Sequence, residues 1–230
     1  MNIRAVSIAT LAAASSLLVS AGAHAGISAH AVITADNHYA LYTGDPITGI
    51  TSLGRNELGA GGAPGQYNWS EAEVYDFSPG QYIYIAGWSD DSIAQGLLAD
   101  ITLDDGSNLR SGFANWQVMV TNSNLGDGDA APTTAAIAAY VLAADAGNLW
   151  FSPDIGGANV GATSPWGQVP VVDASTRWMW GNPAGVGDVF NGGANHSEYQ
   201  IFRIPVQQVP APMTCSALAL GGLIAARRRR

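Results

Sequence analysis

The chain has 230 residues, of which only 12% are charged and 28 are glycine, and its formal net charge is −9. This acidic balance argues against nucleic acid and anionic membranes as partners, because both are bound through basic patches. A single cysteine, Cys215, excludes an intrachain disulfide. Low charge, many turn-forming residues and short apolar runs predict an all-β protein.

The first 25 residues have the pattern of a cleaved export signal. Arg4 supplies a basic start, and residues 5–21 are almost wholly small or apolar. Ala23 and Ala25 form a small-x-small cleavage site, so we expect the mature chain to begin directly after Ala25. A retained membrane anchor is the alternative, but the apolar run falls short of the roughly 20 residues that a spanning helix needs.

Residues 26–208 form the candidate folded domain. They contain four arginines and all 18 acidic residues of the chain, and no lysine, which gives a formal charge of −14. Such a charge fits a soluble extracellular protein and leaves room for divalent cations. About 180 residues are enough to bury a single core.

Alternating patterns begin the domain. A weakly alternating run at 31–34 and a clearer one at 38–43 predict two strands, joined by a turn at Asp36-Asn37. In the second strand, Tyr39 and Leu41 share one face. Residues 44–65 are rich in glycine and predict a long exposed loop with room for one short strand at 51–54.

The densest strand signal follows this loop. Strand-forming residues at 74–77 lead through a Ser-Pro-Gly turn into 81–88, which is bulky on both faces. We therefore expect 81–88 to be a central strand that is covered on both sides. Residues 97–103 predict the next strand, which ends in a hairpin turn at Asp104-Asp105-Gly106.

The second half of the domain mixes strands with one helix. Its predicted elements are a strand at 116–121, an acidic loop at 122–129, a helix at 133–144, a glycine-rich loop at 148–170, and strands at 176–180 and 198–206. Ile137, Tyr140 and Val141 have the i, i+3, i+4 spacing of a helix face. Pro132 fits near its first turn, and Gly147 is expected to end it.

The last 22 residues combine three features. A Pro210-Ala211-Pro212 motif precedes a small and apolar run at 213–226, and Arg227-Arg228-Arg229-Arg230 closes the chain. Fourteen helical residues span about 21 Å, which is less than the ~30 Å hydrocarbon core of a bilayer. The arginines would stay on the cytoplasmic side by the positive-inside rule. A plain C-terminal membrane tail is the alternative to a transient anchor.

This tail resembles the PEP-CTERM sorting signal of exported bacterial proteins, with Pro-Ala-Pro in place of Pro-Glu-Pro. That signal also joins a Pro-x-Pro motif, a short apolar helix and a terminal arginine cluster. The resemblance implies transient membrane anchoring and an exosortase-type transpeptidase as partner at the inner membrane. It also implies a destination at the cell surface or in the extracellular matrix, and it implies no activity.

A second series of motifs extends through the domain. In order, the motifs are DNHYALY at 36–42, WSEAEVYD at 69–76, PGQYIYI at 79–85, GLLADI at 96–101, WQV at 116–118, PWG at 165–167 and RWMW at 177–180. The series resembles galactose-binding-like jelly-roll modules of bacterial glycoside hydrolases and surface proteins. The resemblance implies a jelly-roll β-sandwich of two antiparallel sheets, and such modules often carry one structural calcium.

Four tryptophans are candidate carbohydrate contacts, because exposed aromatic rings can stack on sugars. They are Trp69, Trp88, Trp166 and Trp180, and Trp166 is expected to be the most exposed because it lies in a loop. The alternative is core packing, where a buried aromatic side chain covers ~150–250 Å².

Acidic turns are candidate calcium sites, since calcium takes oxygen ligands at ~2.3–2.6 Å. Asp104 with Asp105, and Asp127 with Asp129, are the main candidates, and Asp36 with Asn37 and Asp90 with Asp91 are further sources. Each pair has the alternative of being a solvated turn.

The sequence offers little support for catalysis. It contains no Gly-x-Ser-x-Gly elbow and no His-Glu-x-x-His helix. Glu71 and Glu73 could form a carboxylate pair, but a solvated strand face is the preferred interpretation. Three hypotheses follow, in order of preference: a non-catalytic surface or matrix protein that binds carbohydrate, a structural envelope protein without a small ligand, and a polysaccharide-active enzyme.

Overall fold

The computed structural model describes residues 27–56, 69–89, 94–126, 128–191 and 198–206. The predicted export signal, with Ala23 and Ala25, and the predicted sorting tail, with Pro210, Pro212 and the four terminal arginines, lie outside these ranges. Within them, no helix is long and apolar enough to cross a membrane.

In this described part of the chain, ten strands form two antiparallel five-stranded sheets. The strands are β1 (Ala29–Asp36), β2 (His38–Asp45), β3 (Gly49–Arg55), β4 (Glu73–Phe77), β5 (Tyr82–Trp88), β6 (Gly96–Leu103), β7 (Gln117–Val120), β8 (Asp154–Ala158), β9 (Arg177–Trp180) and β10 (Gln200–Pro205). One helix, α1 (Thr134–Gly147), lies between β7 and β8. Sheet A has the order β4-β1-β6-β9-β8, and sheet B has the order β3-β2-β5-β10-β7.

The core lies between the two sheets. Ile33 and Leu97 of sheet A belong to one buried cluster with Leu41, Ile85 and Phe202 of sheet B. Along each strand, alternate residues enter this cluster because successive side chains point to opposite faces. The prediction of an all-β sandwich of two antiparallel sheets is confirmed.

The outer faces of the sheets are covered differently. Helix α1 packs Ile137, Val141 and Ala144 on the outer face of sheet B. On sheet A, the segment that precedes β9 folds back and buries Trp166 against Trp178. The remainder of this face carries exposed side chains, among them the polar His30, Asp76 and Thr102 and the apolar Val74.

Most predicted strands are confirmed, with ends that move by a residue or two. Strand β5 lies between β2 and β10, and it is buried on both faces from Ile83 to Trp88, as its bulky sequence predicts. In two places the structure has a strand where the sequence predicts a loop or a shorter strand. Strand β3 extends the short strand expected at 51–54, and β8 lies inside the loop predicted at 148–170. Both are partly exposed edge strands, and their glycines weaken the alternation that would reveal them.

Helix α1 begins after Thr133, whose hydroxyl accepts a hydrogen bond from the backbone of Ala136. This bond satisfies one of the unpaired N–H groups in the first turn. Gly147 is the last helical residue, and Asn148, in the left-handed region at φ 53°, ends the helix one residue later than predicted.

Candidate functional site

Trp166 is buried, and the expectation that it is exposed is wrong. It is 3% exposed and stacks on Trp178 with 4.1 Å between ring centroids. Its Nε1 donates a hydrogen bond to the Asp36 carboxylate at 2.7 Å. The reason is the fold of its loop, which returns over the outer face of sheet A. Replacing Trp166 would therefore perturb folding before it tested binding.

The other candidate tryptophans also show little surface. Trp88 and Trp180 are fully buried, the first stacked on His38 and the second packed against Phe202. Core packing, the alternative interpretation, therefore holds for both. Trp69 is half-buried, and its carbonyl accepts a hydrogen bond from the Thr34 hydroxyl.

The two main pairs of acidic candidates for calcium, Asp104 with Asp105 and Asp127 with Asp129, do not form one site. Asp104 and Asp105 follow the end of β6, whereas the loop that contains Asp129 contacts Trp88 at the end of β5. The registers of β1, β2, β5 and β6 place these two turns at opposite ends of the sandwich. Strands of this length separate the ends by roughly 25 Å. Asp90, Asp91 and Asp127 lie outside the described residues.

Two of these carboxylates close their own turns. Asp105 accepts a hydrogen bond from the backbone of Ser107 at 2.7 Å, and bonds from Ser107 lower the pKa of Asp105. Asp129 accepts one from the backbone of Gly126 at 2.7 Å. Among the described residues, no group of three or more His, Cys, Asp and Glu could hold a metal ion. The structural calcium stays a prediction.

Glu71 and Glu73 do not act as a pair. Glu71 is exposed, whereas Glu73 is half-buried and accepts a hydrogen bond from the Tyr39 hydroxyl at 2.7 Å. That hydroxyl also lies 3.0 Å from the hydroxyl of Tyr75. Burial, with Tyr75 and Glu73 beside it, raises the pKa of Tyr39. The interpretation of Glu73 as part of a solvated face is therefore wrong, because it joins a structural network of hydroxyls.

An exposed aromatic side chain lies on the outer side of sheet A. Phe113 is 65% exposed, on a turn that follows Arg110. Together with Asn108 and Ser175, these two residues line an open cleft of about 320 Å³, here called the Phe113 cleft. No sequence signal singles out Phe113, because it lies in a Gly-Phe-Ala turn that has neither strand periodicity nor a motif.

Arg110 in this cleft is held in place by two carboxylates. Its Nε lies 2.8 Å from Asp100 and its Nη2 lies 3.1 Å from Asp173. Ser175 donates hydrogen bonds to Asp173 from both its hydroxyl and its backbone, and these bonds lower the pKa of Asp173. The polar groups of the cleft are therefore rigid, and carboxylates outnumber guanidinium groups.

Ser111 anchors the turn that carries Phe113. Its N–H donates to the carbonyl of Ala99 at 2.8 Å, and its hydroxyl donates to the carbonyl of Arg177 at 2.6 Å. It thereby bridges β6 and β9. At Gly112, with φ +87°, a Cβ would lie only 2.6 Å from the Cβ of Arg177. The backbone beside Phe113 is therefore fixed against two strands.

A second opening lies on the same face of sheet A. His30, Asp76, Thr102 and Asp104 are among the residues that line an open groove of about 530 Å³, here called the His30 groove. His30 Nδ1 lies 2.8 Å from Asp76 Oδ1, and the two side chains are 55% and 79% exposed. A contact this exposed contributes at most about 1 kcal/mol to stability, even when the histidine is charged. Its main effect is on the polarity of the groove.

Four exposed polar residues connect the groove with the cleft. Asp76 pairs with His30, His30 with Thr102, and Thr102 with Asn108. Residues directly opposite one another on antiparallel strands lie ~4.5–5.5 Å apart, so this polar row is roughly 15 Å long. Its members face outward, because Ala29 and Ile101 beside them enter the core.

Comparison with known proteins finds no family model, no curated protein and no solved structure that matches the chain. The interpretation of this surface therefore depends on its own geometry.

Proposed function

We propose that the chain is an exported, non-catalytic protein of the cell surface or extracellular matrix, whose β-sandwich binds carbohydrate. The observation that supports binding is the Phe113 cleft, where an exposed ring lies beside the fixed side chain of Arg110. An aromatic face suits the C–H face of a sugar ring, and convergent polar groups suit its hydroxyls.

The proposed destination depends on the two ends of the sequence. Residues 1–25 would direct export, and the tail from Pro210 to Arg230 would be processed by an exosortase-type transpeptidase. The absence of cysteine and the charge of −14 in 26–208 suit a soluble exported domain.

We also propose that residues 26–208 adopt the jelly-roll fold of galactose-binding-like modules. The support is the order of the sequence motifs together with two antiparallel five-stranded sheets. A structural calcium ion belongs to the same proposal, and its ligands would have to come from one end of the sandwich only.

Binding is tested with the purified full chain by native electrophoresis through gels that contain neutral polysaccharides: galactomannan, xyloglucan or β-glucan. We expect at least one of them to retard the chain without release of new reducing ends. Release of reducing ends would favour the enzyme hypothesis. Unretarded migration in every gel, with self-assembly in solution, would favour the structural hypothesis.

Sorting is tested by the intact mass of the protein recovered from the surface fraction of its native host. We expect a chain that starts directly after Ala25 and has lost Arg227 to Arg230, because both ends are processed. A surface form that retains the four arginines would contradict the sorting proposal and would leave the binding proposal unaffected.

A further inference from the structure

We infer that a neutral polysaccharide binds as an extended chain across the strands of sheet A, from the Phe113 cleft along the polar row to the His30 groove. The inference depends on the proposed carbohydrate-binding function. It adds the site, the direction of the ligand across the sheet and the charge class of the ligand.

The two openings form one surface. Thr102 lines the His30 groove and pairs with Asn108, which lines the Phe113 cleft. The row between them crosses β4, β1, β6 and the segment after β6, and its four side chains are exposed. Between Asp76 and Asn108 a ligand would therefore lie across the strands, and from Asn108 to Phe113 it would follow the segment that runs beside β6.

The row is polar along its length, whereas apolar residues such as Phe77, Leu103 and Phe113 line the two openings beside it. Asp76, His30, Thr102 and Asn108 offer hydrogen-bond donors and acceptors to hydroxyl groups. Phe113 offers an exposed aromatic ring in the cleft that Asn108 also lines. This sequence of groups suits a chain of sugar rings, in which one ring stacks and the following rings form hydrogen bonds.

The charges on this surface favour a neutral ligand. Two carboxylates, Asp100 and Asp173, hold the single guanidinium of Arg110, so negative charges outnumber positive ones there. Asp76 and Asp104 add two more carboxylates at the His30 groove. The whole domain is also strongly acidic. A uronic or sulfated chain would meet repulsion here, since like charges disfavour association.

Helix α1 covers the outer face of sheet B, with Ile137 and Val141 buried against Tyr84 and Ile201. An open groove of about 530 Å³ at the turn between β2 and β3 is lined, among the described residues, by no aromatic side chain. The inference therefore assigns binding to sheet A alone.

Two variants test the site in the full chain. Phe113→Ala removes the ring, and Thr102→Glu places a charge in the middle of the row. The matched controls are Val186→Ala, which truncates an apolar residue that is exposed elsewhere, and Thr51→Glu, which charges an exposed strand threonine of sheet B. Thermal unfolding checks that all four variants fold as the unmodified chain does.

The readout is affinity for the retarding polysaccharide and for a length series of its oligosaccharides. We expect Phe113→Ala to weaken binding about tenfold at every length, since a stacked ring is worth about 1.4 kcal/mol. Thr102→Glu should weaken only oligosaccharides that are long enough to reach the row. Affinity should rise with length and then level off, and the controls should bind as the unmodified chain does.

Each contrary outcome has a separate meaning. If the unmodified chain binds a neutral polysaccharide but both site variants bind equally well, the inference is overturned and the proposed function stands. A monosaccharide bound as tightly as the longest oligosaccharide would overturn the extended mode of binding. Tighter retention by alginate or heparin would overturn the charge class. If no polysaccharide is bound, both proposals fail.

Discussion

Val171 has a backbone conformation that is unfavourable for a β-branched side chain. It lies in the left-handed region at φ 63° and is 75% exposed. This conformation costs an L-residue roughly 1–2 kcal/mol. The turn persists because the buried amide of Asn159 donates to the carbonyls of Val169 and Val172 and accepts the N–H of Val169. Surrounding bonds thus impose a geometry that the side chain opposes.

Replacing Val171 by glycine should stabilise the protein by about 0.5–1 kcal/mol. Glycine relieves the left-handed strain, and the greater freedom of the unfolded chain offsets part of the gain. The free energy of unfolding in urea measures the difference. The matched control is Val186→Gly, an exposed loop valine without a positive φ, which should give no gain. Equal changes at the two positions would refute the strain at Val171.

The residues of the candidate site show what the sequence could predict. Local alternation predicts that Tyr39 and Leu41 share one face of β2, and the structure shows that this face enters the core. The burial of Trp166 depends on Trp178 and on Asp36, which is 130 residues away in the chain, so no local pattern reveals it. Phe113 is exposed because its turn is held away from the core by Ser111, which is again a long-range arrangement.

At the scale of elements, helix α1 is attached to sheet B by a charge pair beside its apolar face. Arg203 of β10 donates from Nη1 to Asp145 of α1 at 2.6 Å. Its guanidinium lies 3.8 Å from the ring centroid of Trp150, and Trp150 Nε1 donates to the same carboxylate. Because the Arg203 side chain is nearly buried, its charge depends on Asp145 and on the ring face.

Asp145→Ala should lower the free energy of unfolding by about 1–2 kcal/mol. The substitution leaves a nearly buried guanidinium without its carboxylate, and partial exposure of Asp145 keeps the loss below that of a fully buried pair. Asp76→Ala is the control and should cost less than about 1 kcal/mol, because its pair with His30 is exposed. Adding Arg203→Met should restore part of the loss. Strictly additive losses in the double variant would contradict this coupling.

Elements were predictable where the pattern was local. Strands β5 and β6 and helix α1 have clear periodicity, and their positions agree with the structure. Strand β8 does not, because its sequence DIGGA gives little alternation at a sheet edge. The polar row was beyond sequence reasoning, since Asp76 and His30 are 46 residues apart and meet only through the pairing of β4 with β1.

At the scale of the whole molecule, both faces of sheet B carry buried tyrosines. Tyr39 points into the core between the sheets, while Tyr42, Tyr84 and Tyr199 lie in the cluster under α1. Burial raises the pKa of each of the four. For Tyr42 the value rises to about 12, with Arg55 opposing part of the effect. The chain has no lysine, so tyrosine ionisation dominates its alkaline titration.

The folded domain should therefore lose stability as pH rises above about 10, where tyrosines of the unfolded chain ionise. Between there and about 12 the folded state retains the Tyr42 proton that the unfolded state has released. Because the unfolded state binds fewer protons, the free energy of unfolding falls with pH in this window and is unaffected below it.

Urea unfolding across this pH range, compared between the unmodified chain and Tyr42→Phe, isolates one tyrosine. The free energy of unfolding of the unmodified chain, minus that of Tyr42→Phe, should be constant below pH ~10. Above pH ~10 this difference should fall by at most about 1.4 kcal/mol per pH unit. The tyrosinate absorbance by which the unmodified chain exceeds Tyr42→Phe should appear together with unfolding, since the buried Tyr42 hydroxyl ionises only when it is exposed. A difference that stays constant up to pH ~12 would show that Tyr42 ionises in the folded state as readily as in the unfolded chain. In that case the packing of α1 over sheet B would be looser than the buried tyrosines indicate.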